Sequence, residues 1–141
     1  EDLRADRAVV LAAVANTGTA LGWASAALRA DREVVMKALE QNGAALEFAS
    51  EELRSDAKLV LGAGRRSPAA LQFASEELRT DRGFGMAVVE RDGKALRFLS
   101  EELRADREVV LAATRQSKKA FLYASEELQE DDEMHAALGF A

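Results

Sequence analysis

The chain repeats itself every 25 residues, and that period constrains its fold more than any other property of the sequence. Leu3, Leu28, Leu53, Leu78, Leu103 and Leu128 share one column, each followed three residues later by Asp6, Asp31, Asp56, Asp81, Asp106 or Asp131. An aromatic column (Trp23, Phe48, Phe73, Phe98, Tyr123), an alanine column (Ala20, Ala45, Ala70, Ala95, Ala120) and a serine column (Ser25, Ser50, Ser75, Ser100, Ser125) keep the same spacing. Five full units and part of a sixth are present, with no insertion or deletion. A unit this short cannot bury its apolar face alone, so each has to be covered by its neighbours.

Within a unit, Asp106-Arg107-Glu108-Val109-Val110-Leu111-Ala112-Ala113 sets an Asp ahead of a compact apolar run. The carboxylate can accept from the free N–H groups of a first turn, which predicts an N-capped helix, here helix A. The run stops at Asn42-Gly43 and Asp92-Gly93, where glycine is expected to take the left-handed conformation that ends a helix, and at Pro68 in the same column. Helix B opens with Ala45-Leu46-Glu47-Phe48-Ala49. Continued through Ser50 as one α-helix, it would set Glu52 between Phe48 and Ala49 on the apolar face, and a buried unpaired carboxylate is costly. Helix B is therefore expected to bend or restart at Ser50, with the hydroxyl as cap and Glu51 and Glu52 near the new N-terminus, and an unbroken helix with Glu52 snorkelling or salt-bridged is the rival reading. The expected fold is all-α: an αα-solenoid of 25-residue helix-turn-helix repeats, about eleven short helices, forming a single helical-repeat domain over residues 1–141.

The string Leu103-Arg104-Ala105-Asp106-Arg107-Glu108-Val109-Val110-Leu111-Ala112-Ala113, with the junction Phe48-Ala49-Ser50-Glu51-Glu52-Leu53, resembles domain of unknown function 4116. The resemblance covers nearly the whole chain, because every unit carries the Leu-x-x-Asp and aromatic-x-Ser marks. It implies tandem helical repeats of a kind frequent in algae and other protists, and it brings no catalytic motif. An algal source would admit a plastid location and a structural subunit of a larger, membrane-associated photosynthetic complex.

The chemistry available to the side chains points away from catalysis. The sequence holds one His, one Tyr and no Cys, so the usual acids, bases and nucleophiles are scarce. His135 stands in the column of Val10, Val35, Val60 and Val110 without a second His or carboxylate at i+4, which reads as a loosened array end rather than a metal site. Asp131, Asp132 and Glu133 read as a helix cap with solvated neighbours. Gly62, Gly64, Gly83 and Gly85 lack the Gly-Lys-Ser/Thr ending of a phosphate loop. No enzyme activity, cofactor or metal is expected. A formal charge of -6 opposes nucleic-acid binding. The uncharged stretch after Ala8 is broken by Asn16, Gly18 and Gly22, so no transmembrane segment is expected and membrane association would come only through a partner complex.

Protein partners are the expectation that remains, and the columns suggest where they dock. Glu51-Glu52, Glu76-Glu77, Glu101-Glu102 and Glu126-Glu127 should form an acidic row, and Arg4, Arg29, Arg54, Arg79 and Arg104 a basic one. The two rows either pair between repeats or leave an acidic ridge for a basic partner. Both ends look apolar: the first helix B contains Gly22 and Trp23 and lacks the Glu pair, Leu122 replaces Glu47, Gln72 and Arg97, and Phe140 replaces Glu40, Arg65, Glu90 and Arg115. Either Trp23 and Phe140 anchor a partner, or further repeats continue beyond Glu1 and Ala141, with Glu1-Asp2-Leu3 the tail of a preceding helix B. Glu1 in place of Met is read as a removed or omitted leader. In the middle, Gly64 and Gly85 replace core residues. Partial compensation by Phe84 is the preferred account, and the alternative is a groove beside helix A for a backbone, lipid tail or pigment, greeted by Arg65, Arg66 and Arg82. The chain is accordingly expected to be a non-catalytic scaffold for protein–protein interaction, with Trp23, Gly22, Leu122, Phe140, Glu51, Glu52, Glu76, Glu77, Glu101 and Glu102 as candidate partner-binding residues.

Overall fold

A computed structural model describes residues 2–140, and those residues contain helices and their connections but no strand. The expected continuations past Glu1 and Ala141 turn on two residues that lie outside the described ones. The chain divides into two compact units, residues 1–75 and 76–141. The first holds α1 (Arg7–Asn16), α2 (Ala26–Arg29), α3 (Arg32–Gln41), α4 (Glu51–Arg54) and α5 (Ala57–Arg66), with 3-10 helices at Leu3–Ala5, Gly18–Trp23, Gly43–Phe48 and Pro68–Phe73. The second holds α6 (Glu76–Arg79), α7 (Arg82–Arg91), α8 (Glu101–Arg104), α9 (Arg107–Gln116), α10 (Glu126–Gln129) and α11 (Asp132–Leu138), with 3-10 helices at Gly93–Phe98 and Lys118–Tyr123. No described helix is long and apolar enough to cross a membrane.

Helix A forms as its sequence requires. Asp31 Oδ1 accepts from Val34 N at 3.1 Å and Asp56 Oδ1 from Leu59 N at 3.0 Å, and Asp6, Asp81, Asp106 and Asp131 cap their helices in the same way. Helix B does restart: Ser50 Oγ accepts from Leu53 N at 3.3 Å, α4 begins at Glu51, and Glu51 and Glu52 are exposed. Ser25, Ser100 and Ser125 repeat the cap. The piece before the serine is a six-residue 3-10 helix, so a repeat contains three helical pieces rather than two. Ala45 N donates to Asn42 O and Ala49 N to Leu46 O, bonds three residues apart, and the tighter turn places both Leu46 and Ala49 inside.

The left-handed ending expected at Gly43 and Gly93 is not what the structure shows. Asn42 and Asp92 close α3 and α7 in extended conformation, at φ -155° and -141°, and among the described residues only Gly139 has positive φ. Glycine is needed there because a neighbouring repeat comes too close for a Cβ. On Gly18 it would lie 2.5 Å from the Ala38 carbonyl oxygen, on Gly43 2.7 Å from Ser67 Cβ, and on Gly93 2.1 Å from the Ala113 carbonyl oxygen. The contact is also polar: Gly18 N donates to Gln41 Oε1 at 2.8 Å and Gly93 N to Gln116 Oε1 at 2.7 Å.

Successive repeats within each unit are tied by a backbone bond that only an unbroken period allows. Ser25, Ser50 and Ser75 donate their N–H groups to the carbonyls of Arg4, Arg29 and Arg54 at 2.9–3.0 Å, and Ser100 and Ser125 to those of Arg79 and Arg104 at 2.9 and 2.8 Å. Each unit has its own apolar layer, Leu21, Val34, Val35, Ala38 and Leu46 in the first and Val89, Leu96, Val109, Val110 and Ala113 in the second, all fully buried. Ala45, Ala70, Ala95 and Ala120 are buried as well, small enough for neighbouring segments to close on them.

Gly64 and Gly85, the glycines in core columns of helix A, are closely approached by leucines of other segments. A Cβ on Gly85 would meet Leu103 Cδ1 at 2.9 Å and Leu99 Cδ1 at 3.2 Å, and Leu99 stands in a column that is otherwise Ala24, Ala49, Ala74 and Ala124. The pair has exchanged volumes, small for large on one side and large for small on the other. Space at Gly64 is taken by Leu71, whose Cδ2 would lie 2.8 Å from a Cβ. Neither position opens a groove. Gly62 does: no atom lies within 4 Å of a Cβ built there.

Candidate interaction surfaces

The charged columns pair differently from the expectation. Arg7 joins Asp31 at 3.0 Å and Glu33 at 2.6 Å, and Arg32 joins Asp56 at 2.6 Å, in the first unit. In the second, Arg82 joins Asp106 at 2.8 Å and Glu108 at 2.6 Å, and Arg107 joins Asp131 and Glu133. Each guanidinium at the start of one helix A thus reaches the capping carboxylate of the next. Of the two alternatives for the Glu and Arg rows, pairing between repeats is not found: among the described residues Glu51, Glu52, Glu76, Glu77, Glu101 and Glu102 form no ion pair, and all six are exposed. Arg29, Arg54, Arg79 and Arg104 are half-buried, each with an Nε that is enclosed and without a hydrogen-bond partner, while Arg4 turns to Asp2 at 3.0 Å. In the second unit Glu76, Glu101 and Glu102 surround a shallow depression with Arg79, Thr80 and Ser100.

Asp31, Asp56, Asp106 and Asp131 each cap a helix and meet an arginine, and their ionisation records both. The Arg7 guanidinium beside Asp31, followed by the Val34 N–H, holds that carboxyl below its ordinary value; Arg32 and then Leu59 N–H do the same for Asp56. Arg82 lowers Asp106 against the opposing effect of burial. For Asp131 burial pushes upward, and the N–H groups of Met134 and Glu133 with Arg107 more than reverse it. A carboxyl depressed in the folded state binds fewer protons than in the unfolded chain, so its stabilisation is complete above the unfolded value of about 3.9 and is lost as pH falls through the folded one. Thermal midpoints should therefore be level from neutrality down to about pH 5 and drop below about pH 4. Replacing Arg7, Arg32, Arg82 and Arg107 together by Gln should flatten that drop, and a drop of unchanged steepness would remove the guanidiniums as its cause.

The apolar candidates separate into projecting and packed residues. Trp23 is 79% exposed and Leu122 72%. Ser25 N donates to Arg4 O, which brings the segment of Trp23 beside that of Leu3, itself 63% exposed. Gly22 is exposed, but its missing Cβ leaves room for the Phe48 ring, which would stand 3.0 Å away. Phe140 is half-buried and meets Phe121 edge to face at 5.3 Å, with the His135 ring 6.0 Å away. His135 donates from Nε2 to the Gln129 carbonyl at 2.6 Å and stacks edgewise on Phe121, so its ring ties α11 to the C-terminal end of α10. No three His, Cys, Asp or Glu among the described residues come together as a metal would require.

Two features escaped the sequence reading. The Arg-to-Asp ladder was available as a charge column, Arg7, Arg32, Arg82 and Arg107, spaced 24 residues from an Asp that had already been assigned as a cap. A second is a groove of about 300 Å³ between α3 and α5, floored by Leu39, Leu59 and Ala63, whose opening depends on Gly62. In a column otherwise holding Ala12, Lys37, Ala87, Ala112 and Ala137, that glycine carries little signal by itself.

No curated protein and no solved structure matches the chain. The family model described as a domain of unknown function, number 4116, matches it twice in tandem, over residues 31–79 and 81–129. Each match opens on a capping Asp, Asp31 or Asp81, and runs through two of the 25-residue repeats. Two matches that together span more than half of the chain, on an all-helical repeat architecture, establish that it belongs to the domain of unknown function 4116 family.

Proposed function

We propose that the chain is a non-catalytic scaffold that binds protein partners through its exposed repeat faces. The observation that carries this reading is Trp23, the one tryptophan of the sequence, held 79% exposed at the end of a 3-10 helix whose next exposed neighbours are Ala26 and Ala27. Large aromatic side chains supply much of the energy of protein interfaces, and an indole this exposed has few contacts of its own to lose on binding. The exposed, unpaired glutamates of the acidic rows support the same reading, since a row of one sign steers a partner of the other. Nothing about the half-buried His135 or the capping aspartates calls for catalysis, because each is already engaged in holding a helix end.

The test begins with the native particle, isolated without denaturation and its companions identified by mass spectrometry. Trp23→Ser should then weaken association with the constant companion by about tenfold or more while helical content is unchanged. A 5-fluorotryptophan label, unique to position 23, should report the loss of solvent when the partner binds. Unchanged affinity in the Ser variant would remove Trp23 as the anchor, and turnover by the isolated chain would overturn the non-catalytic reading. Companions that are a fixed set of membrane proteins would favour the structural-subunit form of the proposal, and exchangeable soluble ones the free scaffold.

A further inference from the structure

We propose that the groove between α3 and α5 receives an acidic amphipathic helix of a partner protein, with an apolar side chain seated over Gly62. This rests on the reading of the chain as an interaction scaffold, and it adds a second surface and the chemistry of what binds there. Three independent observations converge on the groove. Its floor is apolar and buried, made by Leu39, Leu59 and Ala63, while Met36 on its wall is 47% exposed. Helices α3 and α5 meet along a shorter stretch than α1 and α3 do, and the absent side chain at Gly62 leaves the space between them open. Its rim carries charge of the sign opposite to that of the chain as a whole. Arg32 is engaged by Asp56 and Glu40 by Lys37, which leaves Lys58 and Arg66 as exposed cations without an ion-pair partner among the described residues.

The shape of the groove selects among occupants. At about 300 Å³ it lies at the small end of the range for ligand pockets, room for one or two side chains rather than a cofactor. Met36 and Gly62 are both exposed, so the groove is open along its length and would leave an acyl chain half in water. Lining residues fall at helical spacing on both walls, Arg32, Met36, Leu39 and Glu40 on α3 and Lys58, Gly62 and Arg66 on α5. A third helix laid between two others fills such a groove with residues at i, i+3 and i+4, and flanking carboxylates on it would reach Lys58 and Arg66.

The experiment uses the full chain and synthetic helical peptides of about 15 residues, long enough to sustain helix when bound. One has a leucine stripe flanked by Glu, a second the same stripe flanked by Lys, and a third Ser in place of Leu. Titration of the Glu peptide should move the NMR signals of the Gly62 amide and the Met36 methyl, with binding weakened by added salt. The Lys and Ser peptides should bind about tenfold more weakly or not at all. Gly62→Leu fills the groove from a position where no atom obstructs it and should abolish the shift of the Met36 methyl with helical content unchanged. Lys58→Glu with Arg66→Glu should exchange the preference of the groove, so that the Lys peptide becomes the better ligand. No shift at Gly62 or Met36 up to about 1 mM Glu peptide, equal binding of the Lys peptide, or shifts produced only by dodecanoate would overturn the proposal. Since Trp23 lies outside the groove, a partner lost in Trp23→Ser but kept in Gly62→Leu would leave the scaffold reading standing and the groove proposal refuted.

Discussion

Leu96→Ala is expected to lower the stability of the second unit by about 2–5 kcal/mol, the range for emptying a buried leucine site whose walls relax only in part. Leu96 is 0% exposed and sits on the 3-10 helix Gly93–Phe98, which packs against both α7 and α9. Helices of ten residues do not persist alone in water, so α7 and α9 owe their existence to this shared layer. Removing its central side chain leaves a space bounded by short elements with no other core to lean on. Urea titration followed by helical circular dichroism should show a lower midpoint with little change of slope. Leu122→Ala supplies the control: it lies on the 3-10 helix Lys118–Tyr123, projects into solvent, and should change stability by no more than about 0.5 kcal/mol. A loss below about 1 kcal/mol at Leu96 would mean that the layer is not the source of cooperativity assigned to it.

Gly93→Ala and Gly62→Ala should act in opposite directions although the chemical change is the same. At Gly93 the new methyl, fixed directly to its own backbone, would overlap the Ala113 carbonyl oxygen, so relief requires the C-terminal end of α9 to move away. That movement also strains the bond from Gly93 N to Gln116 Oε1. Overpacking of this kind costs about 1–3 kcal/mol, and here it falls on backbone that cannot rotate aside as a side chain does. At Gly62 nothing lies within 4 Å, and the position is in the interior of α5, where alanine is favoured over glycine by about 1 kcal/mol. Thermal melts of the two single variants are sufficient to decide the matter. Equal signs would show that the close approach at Gly93 or the open space at Gly62 is wrongly placed.

Much of the fold was legible because the repeat states the same rules several times. The Asp column marked where helix A begins, and the Ser50 hydroxyl with the cost of burying Glu52 favoured a restart of helix B there, since a cap bond and the face a side chain falls on are local matters carried by neighbouring residues. The candidate surfaces were legible only in part. Trp23 and Leu122 project, on segments that lack the charged residues of their neighbours, whereas Phe140 turns back onto Phe121 and His135, three rings that the periodic pattern does not bring together. The groove escaped notice for a related reason: Gly62, Gly64 and Gly85 are equivalent as letters, and whether each leaves a hole depends on Leu71, Leu99 and Leu103 arriving from other segments.

The sequence by itself determined the period, the helical class, the capping positions and the alternation of buried and exposed columns, because these follow from bonds and spacings within a few residues of one another. Only the tertiary structure decided how repeats meet. It made Gly18, Gly43 and Gly93 points of backbone approach rather than left-handed turns, sent the guanidiniums of Arg7, Arg32, Arg82 and Arg107 to the next cap while leaving the glutamate rows exposed and unpaired, and opened space at Gly62 alone of the three interior glycines Gly62, Gly64 and Gly85. Those outcomes depend on distances of a few ångströms between segments some 25 residues apart, where one methyl or one rotamer changes which neighbour fills a space.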